Sequence, residues 1–129
     1  GKRAFFIKAR IPNPRLQLAC HSQNILRRAA HDVGIRIALL NGATLRAGFG
    51  QPVGSASPRV LSASVEAFTR STDLLFAHVE KNFPGDDVWV GVAPHSLGAV
   101  PIDALKAISA YAHAKRCRVH LQLGETATE

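Results

Sequence analysis

Two short segments collect the side chains that can move protons or polarise a bond. The first is His95-Ser96, directly after the apolar run VWVGVA, and the second is His120, Gln122 and Glu125 within RVHLQLGE. Histidine and carboxylate side chains exchange protons, and both can hold a metal ion. A third polar stretch, RAGFGQPVGSASP, begins at Arg46 and sets one guanidinium among glycines. Plainer roles compete for each of these residues. Ser96 can cap the helix that follows it, and His120 with Glu125 can form an ordinary polar contact at a strand end. Ser96 and His95 do not read as a nucleophile–base pair, because no G-x-S-x-G elbow surrounds them and adjacent strand residues point to opposite faces. The AGFGQP glycines are not a phosphate loop, since no Gly-Lys-Ser/Thr follows. His21, His31, His78 and His113 lie apart, without metal-ligand spacing, and read as exposed or capping residues.

The elements that must carry these residues alternate. Val88–Ala93 and Arg118–Leu123 are short, mostly apolar runs, the pattern of strands buried on both faces of a parallel sheet. Between them the sequence predicts a helix beginning at Pro101, where a missing N–H costs nothing. Asp103 in its first turn and Lys115, Arg116 and Arg118 at or beyond its last suit the helix dipole. Ile102, Leu105, Ile108 or Ser109, and Ala112 supply an apolar stripe. Upstream, Ala4–Ile11 reads as a strand ended by Pro12-Asn13-Pro14. A helix over Leu16–Val33 turns Ile25, Leu26, Ala29, Ala30 and Val33 inward and stops at Gly34 in the left-handed conformation. Ile35–Leu40 is the second strand. It leads into a long loop, Asn41–Pro58, of the kind that forms lids and binding loops. Ser64 caps the next helix, with Glu66 in its first turn, which runs to about Asn82 and buries Phe68, Leu75 and Val79. FPGDD is a turn. The class is α/β, a parallel βαβαβαβ unit with right-handed crossovers, either a small open sheet or half of an eight-stranded barrel. Polar residues where parallel strands end are where such folds build sites.

Composition narrows the possibilities. A single domain over residues 1–129 with 47% hydrophobic residues can support its own core. No apolar run approaches the roughly 18 residues of a membrane span. Cys20 and Cys117 match no metal or redox spacing and read as reduced thiols, which with the lack of a signal-peptide core favours an intracellular setting, cytoplasmic or organellar. The net charge of +7 sits in residues 1–31, where Lys2, Arg3, Lys8, Arg10, Arg15, Arg27 and Arg28 meet no acidic residue. This segment is an arm for nucleic acid, ribonucleoprotein or an acidic partner, a targeting-like presequence, or the solvated face of a first strand and helix. Only Phe5 and Phe6 offer a stacking surface within it.

Taken together, GIRIALL, RAGFGQP, VGVAPHSLGAVP and VHLQLGE resemble the metal-dependent amidohydrolase superfamily, closest to the formimidoylglutamate deiminases of histidine breakdown. That family shows L-Y-x-x-x-G-F-G-G-Q-P, then H-S-L-R-A-V after the fourth barrel strand and V-H-I-H-V-A-E-Q at the fifth. The resemblance runs in order over about Ile25 to Glu125. It implies half of a (β/α)8 TIM barrel, roughly strands two to five, and hydrolysis of a C=N or C–N bond in a small-molecule substrate by zinc-bound hydroxide. By the same resemblance His95, Ser96 and Arg46 bind substrate and Glu125 shuttles protons. Gln122 takes the place of a zinc-binding histidine, and His120 matches the first, non-ligand histidine and is a weaker metal candidate. Three positions depart from the family. Gln122 offers an amide, a weak neutral ligand beside imidazole. Gly98 replaces an arginine that would hold a carboxylate, and Thr44 or Leu45 stands for a tyrosine. The family's other zinc ligands have no counterpart in this span. The isolated chain is therefore expected to bind no zinc by itself and to turn over no substrate. Half a barrel leaves two open strand edges and one uncovered sheet face, so self-association or a completing partner subunit is expected. The alternative is a non-catalytic structural or binding component that docks through its basic segment.

Overall fold

A computed structural model of the chain describes residues 4–9, 28–30, 32–58 and 61–124. Its elements are β1 (Ala4–Ala9), β2 (Arg36–Ala43), α1 (Val65–Asn82), β3 (Val88–Pro94), α2 (Ile102–Ala114) and β4 (Arg118–Val119). The strands form one sheet in the order β1-β2-β3-β4, and every neighbouring pair is parallel. Consecutive parallel neighbours joined by crossovers are what the alternating pattern requires. The architecture is that of a partial (β/α)8-barrel-like unit.

Local chemistry sets the helix ends. Ser64 is extended (φ −160°), and its Oγ accepts the Ala67 N–H at 3.1 Å. That bond satisfies one of the donors a helix leaves open at its start. Backbone and Ser64 hydrogen bonds hold the Glu66 carboxyl below its ordinary value in that first turn. Phe68, Thr72, Leu75 and Val79 recur every three or four residues and form the buried side of α1. At the other end of α2, Cys117 N–H bonds the Ala112 carbonyl (2.9 Å) and Arg116 N–H that of His113 (3.1 Å). This is the paired closure that a left-handed residue makes possible, and Arg116 supplies it with φ +54°. Gly34, at φ +71°, ends the preceding helical turn in the same way, with Ile35 N–H on the Ala30 carbonyl at 2.9 Å.

Two apolar clusters lie between the helices and the sheet. Toward the amino ends of the strands, Ile37, Leu39, Val88 and Val90 meet Leu75, Val79 and Phe83. Toward the carboxyl ends, Ala43, Leu45 and Val92 meet Phe68, Val100, Ile108 and Ala112. Each fully buried aliphatic side chain contributes roughly 1.5–3 kcal/mol. On the opposite side of the sheet, Ala38, Leu40 and Ala93 are 0–5% exposed beside Trp89. The expected bare face is therefore not bare at these positions. Gly91 belongs to this side. A Cβ there would stand 2.7 Å from Leu40 Cδ2 and 3.0 Å from the Arg118 carbonyl oxygen, so only glycine lets β3 sit this close to both neighbours.

Several sequence expectations are corrected. The second strand extends to Ala43 rather than Leu40, because Asn41 finds partners on α1. Its Nδ2 donates to Thr72 Oγ1 at 2.8 Å and to Ser71 Oγ at 3.0 Å, which makes a polar residue tolerable at 2% exposure. Pro101 is the residue before the helix (ψ 148°), not its first turn. Ile102 is 58% exposed, and the inner side of α2 comprises Leu105, Ile108, Tyr111 and Ala112. The last strand is expected over Arg118–Leu123 and buried on both faces. It pairs as a ladder only at Arg118–Val119 and is exposed, because it is the sheet edge and no helix among the described residues covers it. Val33 is 70% exposed and Ala29 is also exposed, whereas Ala30 is buried. The first strand is described over Ala4–Ala9, and Arg10 and Ile11 of the expected strand lie outside the described residues. Most of the helix expected over Leu16–Val33, Ile25 and Leu26 among it, lies outside the described residues, as do Cys20, His21 and His31.

Candidate functional site

The parallel register fixes which groups meet. Ala38 pairs with Trp89 and Gly91 with Arg118, so these residues share the sheet face opposite the helices. The period of two then puts His95 and His120 on that same face, at its carboxyl end. Backbone bonds hold the two strands together beyond the formal ladder. His120 N–H donates to the Val92 carbonyl at 2.9 Å, and Gln122 N–H to the His95 carbonyl at 3.2 Å. His95 is anchored on its other side by its own N–H on the Ala43 carbonyl (2.9 Å). Both histidines are half-buried and Gln122 is exposed. Three of the expected site residues therefore converge where β3 and β4 end.

Ser96 is buried at 6% exposure, and its Oγ accepts the Ala99 N–H at 3.2 Å, while Val100 N–H bonds its carbonyl at 3.0 Å. It caps the tight turn 96–100 rather than α2, whose start has no side-chain cap. Arg46 comes to the same turn from the neighbouring loop. Its Nε donates to the Gly98 carbonyl at 2.7 Å and its Nη2 to the Leu97 carbonyl at 3.3 Å. Leu45 and Arg46 N–H groups both bond the Ala99 carbonyl, at 2.9 and 3.1 Å. The loop is tied to itself as well, through Gly54 N–H on the Leu45 carbonyl (2.8 Å) and Ala47 N–H on Ser55 Oγ (3.0 Å). The Arg46 guanidinium lies 5.8 Å from the Phe49 ring centroid. A Cβ on Gly98 would come within 3.2 Å of that ring, so the absence of a side chain at 98 is what admits Phe49.

The Arg46–Phe49–Gly98 packing and the buried Asn41 are features that sequence reasoning did not single out. Asn41 in an otherwise apolar run was the one available signal. Glu125, and the basic residues Lys2, Arg3, Arg10, Arg15 and Arg27, lie outside the described residues, as does the side chain of Lys8; Arg28 is exposed. His78 sits half-buried on α1 with its Nδ1 3.2 Å from Asn82 Nδ2 and its ring edge-on to Phe83, and burial pushes its pKa down. His113 is exposed on α2.

The donor set bears on the implied zinc. A catalytic zinc usually takes three protein ligands and a water. Among the described residues no three His, Cys, Asp or Glu side chains converge to hold a metal ion. His95 and His120, with the Gln122 amide, do not amount to such a set. No helix among the described residues is long and apolar enough to cross a membrane.

No protein-family model and no curated protein matches the sequence. Among solved structures, the chain is similar to an amidohydrolase from Brucella melitensis, with a TM-score of 0.65 and 25% identity. The match covers 86% of this chain and 24% of that one, so the chain spans about a quarter of its relative's length. The chain has an amidohydrolase-like fold, and in extent it corresponds to a fragment of such a hydrolase.

Proposed function

We propose that this chain is a piece or degenerate relative of a hydrolase that cleaves C=N or C–N bonds, of the formimidoylglutamate deiminase kind, and that it is inactive as an isolated chain. The observation that carries this reading is the convergence of His95, His120 and Gln122 where β3 and β4 end, on an amidohydrolase-like fold. In it, His95 and the turn held by Arg46 form the substrate-facing wall, and Glu125 handles protons. Among the described residues no three ligands for a catalytic zinc converge, so no hydrolytic step is assigned here. A second polypeptide segment, from a partner or another copy, would complete the site along the open β4 edge. The decisive experiment incubates pure chain with formimidoylglutamate, with and without added zinc, and measures ammonia release. The blank rate is expected in both cases. Release proportional to protein concentration and abolished by Glu125→Gln would overturn the inactive reading.

A second reading rests on a different observation, the acid-free basic segment 1–31. In it the chain is a binding component whose cations contact phosphates. Such binding weakens steeply with salt, because neutralised phosphates release counterions. A filter-binding series from low to high salt separates the two readings, and no binding at low salt removes this one.

A further inference from the structure

The last strand leaves one row of backbone groups without partners. His120 N–H and Gln122 N–H both point to β3, where they bond the Val92 and His95 carbonyls. Along an extended chain the N–H and C=O groups of successive residues alternate between the two sides, so those of Val119, Leu121 and Leu123 point away from the sheet. None of these three residues has a hydrogen-bond partner on that side among the described residues. We propose that this edge pairs, antiparallel and across a two-fold axis at Leu121, with the same edge of a second copy of the chain. The pairing stands apart from the hydrolase reading, and only its consequence for the site rests on that reading.

The strip is complementary to itself. With Leu121 on the axis, Val119 meets the partner subunit's Leu123, and Leu123 meets the partner subunit's Val119. Each such opposite pair exchanges two N–H···O bonds, so every outward group of the three residues is satisfied at once. Val119 pairs in register with Val92 and so shares its helix-side face, with Leu121 and Leu123 following at the period of two. There Val119 is 42% and Leu123 65% exposed, apolar surface that cross-strand pairing removes from water. Edges that stay single are commonly guarded by lysine or proline. Residues 119–123 include neither, and no Lys, Arg, Asp or Glu, so two chains of net charge +7 meet where neither presents a formal charge. Arg118, at the margin, falls opposite the partner subunit's Gly124. The strip has five residues a side, against roughly 20–30 in a standard interface, so the dimer is weak and forms at high concentration. On the other face the same register sets His120 beside the partner subunit's Gln122, and each copy's strand end becomes part of the other's site.

The test is sedimentation equilibrium of the full chain over a concentration series at low and high salt. A reversible monomer–dimer equilibrium is expected, strengthened by salt, which screens the repulsion between two +7 chains. Leu121→Pro should weaken it about tenfold or more, because the bonds on the axis are lost. The variant is expected to fold, since proline is tolerated on an edge strand whose N–H faces solvent, and its circular-dichroism melt verifies this. Cysteine cross-linking reads the register. Opposite residues in such a pair have Cα atoms about 5.5 Å apart, within disulfide reach. Oxidised Leu121→Cys should therefore give covalent dimer well above the parent's background from Cys20 and Cys117. Leu123→Cys should not, because its two copies lie about 13 Å apart along the strands. The proposal is overturned by a single-chain mass at every concentration, by a folded Leu121→Pro that dimerises like the parent, or by cross-linking at 123 in preference to 121. None of these readouts depends on ammonia release, so failure of the hydrolase reading and failure of the pairing are told apart.

Discussion

Arg46 Nε donates to the Gly98 carbonyl at 2.7 Å, across 52 positions of sequence. With the Nη2 bond to Leu97, this joins the loop after β2 to the turn after β3. Removing the guanidinium leaves two partly buried carbonyls short of a charged donor, a change of about 1–3 kcal/mol. Arg46→Met should therefore lower the urea midpoint. It should also speed exchange of the Leu45 and Arg46 amides, both bonded to Ala99. Exchange unchanged from the parent would mean that the backbone bonds alone hold the loop.

Asn41 ties β2 to α1 from inside. Its Nδ2 donates to the hydroxyls of Ser71 and Thr72, which in turn donate to the Phe68 carbonyl at 2.7 and 2.9 Å. Asn41→Leu removes both inward bonds and forces a larger apolar group against hydroxyls. We expect a loss of about 2 kcal/mol in chemical denaturation. Asn41→Asp should cost more, because an ionised carboxylate is costly to bury at this site.

Gly91→Ala tests the spacing of the strands. The added methyl meets Leu40 at 2.7 Å, which a rotamer change can relieve, and the Arg118 backbone at 3.0 Å, which only a shift of β4 can relieve. A destabilisation of about 1–3 kcal/mol is expected. Loss of protection at the His120 amide should accompany it, since that amide bonds Val92 beside the strained position.

One ion pair predicts a pH dependence. Asp73 accepts from Lys115 Nζ at 2.6 Å and from Tyr111 OH at 2.9 Å. The Lys115 hydrogen bond is the chief cause that holds its pKa below 3.8, and burial with the neighbouring carboxylate raises that of Tyr111. A carboxyl whose folded value is depressed stabilises the fold fully above its unfolded value and loses that contribution as pH falls through 3.8 toward the folded value. The pair is about half exposed, so solvent screening keeps the effect to a few tenths of a kcal/mol. Asp73→Asn should flatten this small part of the acid-side slope and leave stability near neutral pH slightly reduced. An identical slope in both proteins would show that other carboxylates set it.

Local signals told most of the architecture. The Ser64 cap, the 68–75–79 spacing and the Gly34 stop are written in neighbouring residues and recur in the structure as expected. The α/β alternation carried the parallel sheet with them. What periodicity misses is decided across distance. Asn41 reads as a loop residue until Ser71 and Thr72, thirty positions away, give its amide a buried use. RVHLQL is as apolar as a central strand, yet it lies at an edge, and no local pattern records whether a neighbour stands beyond it. His95, His120 and Gln122 were legible as neighbours because all three lie at strand ends. The packing of Phe49 on Gly98 was not, since it depends on two loops meeting.

The span of the Arg46–Gly98 bond also governs when the mouth of the sheet can form. Non-local parallel pairing is slow because a long loop must close before any contact rewards it. A chain made from its amino end exposes the 44–58 loop well before residues 95–100 exist to receive it. Until then Phe49 has no glycine to rest on and Arg46 no carbonyls to join. The apolar tip of this loop is thus a late-sheltered surface, most exposed to chaperones and proteases while the chain is only half made.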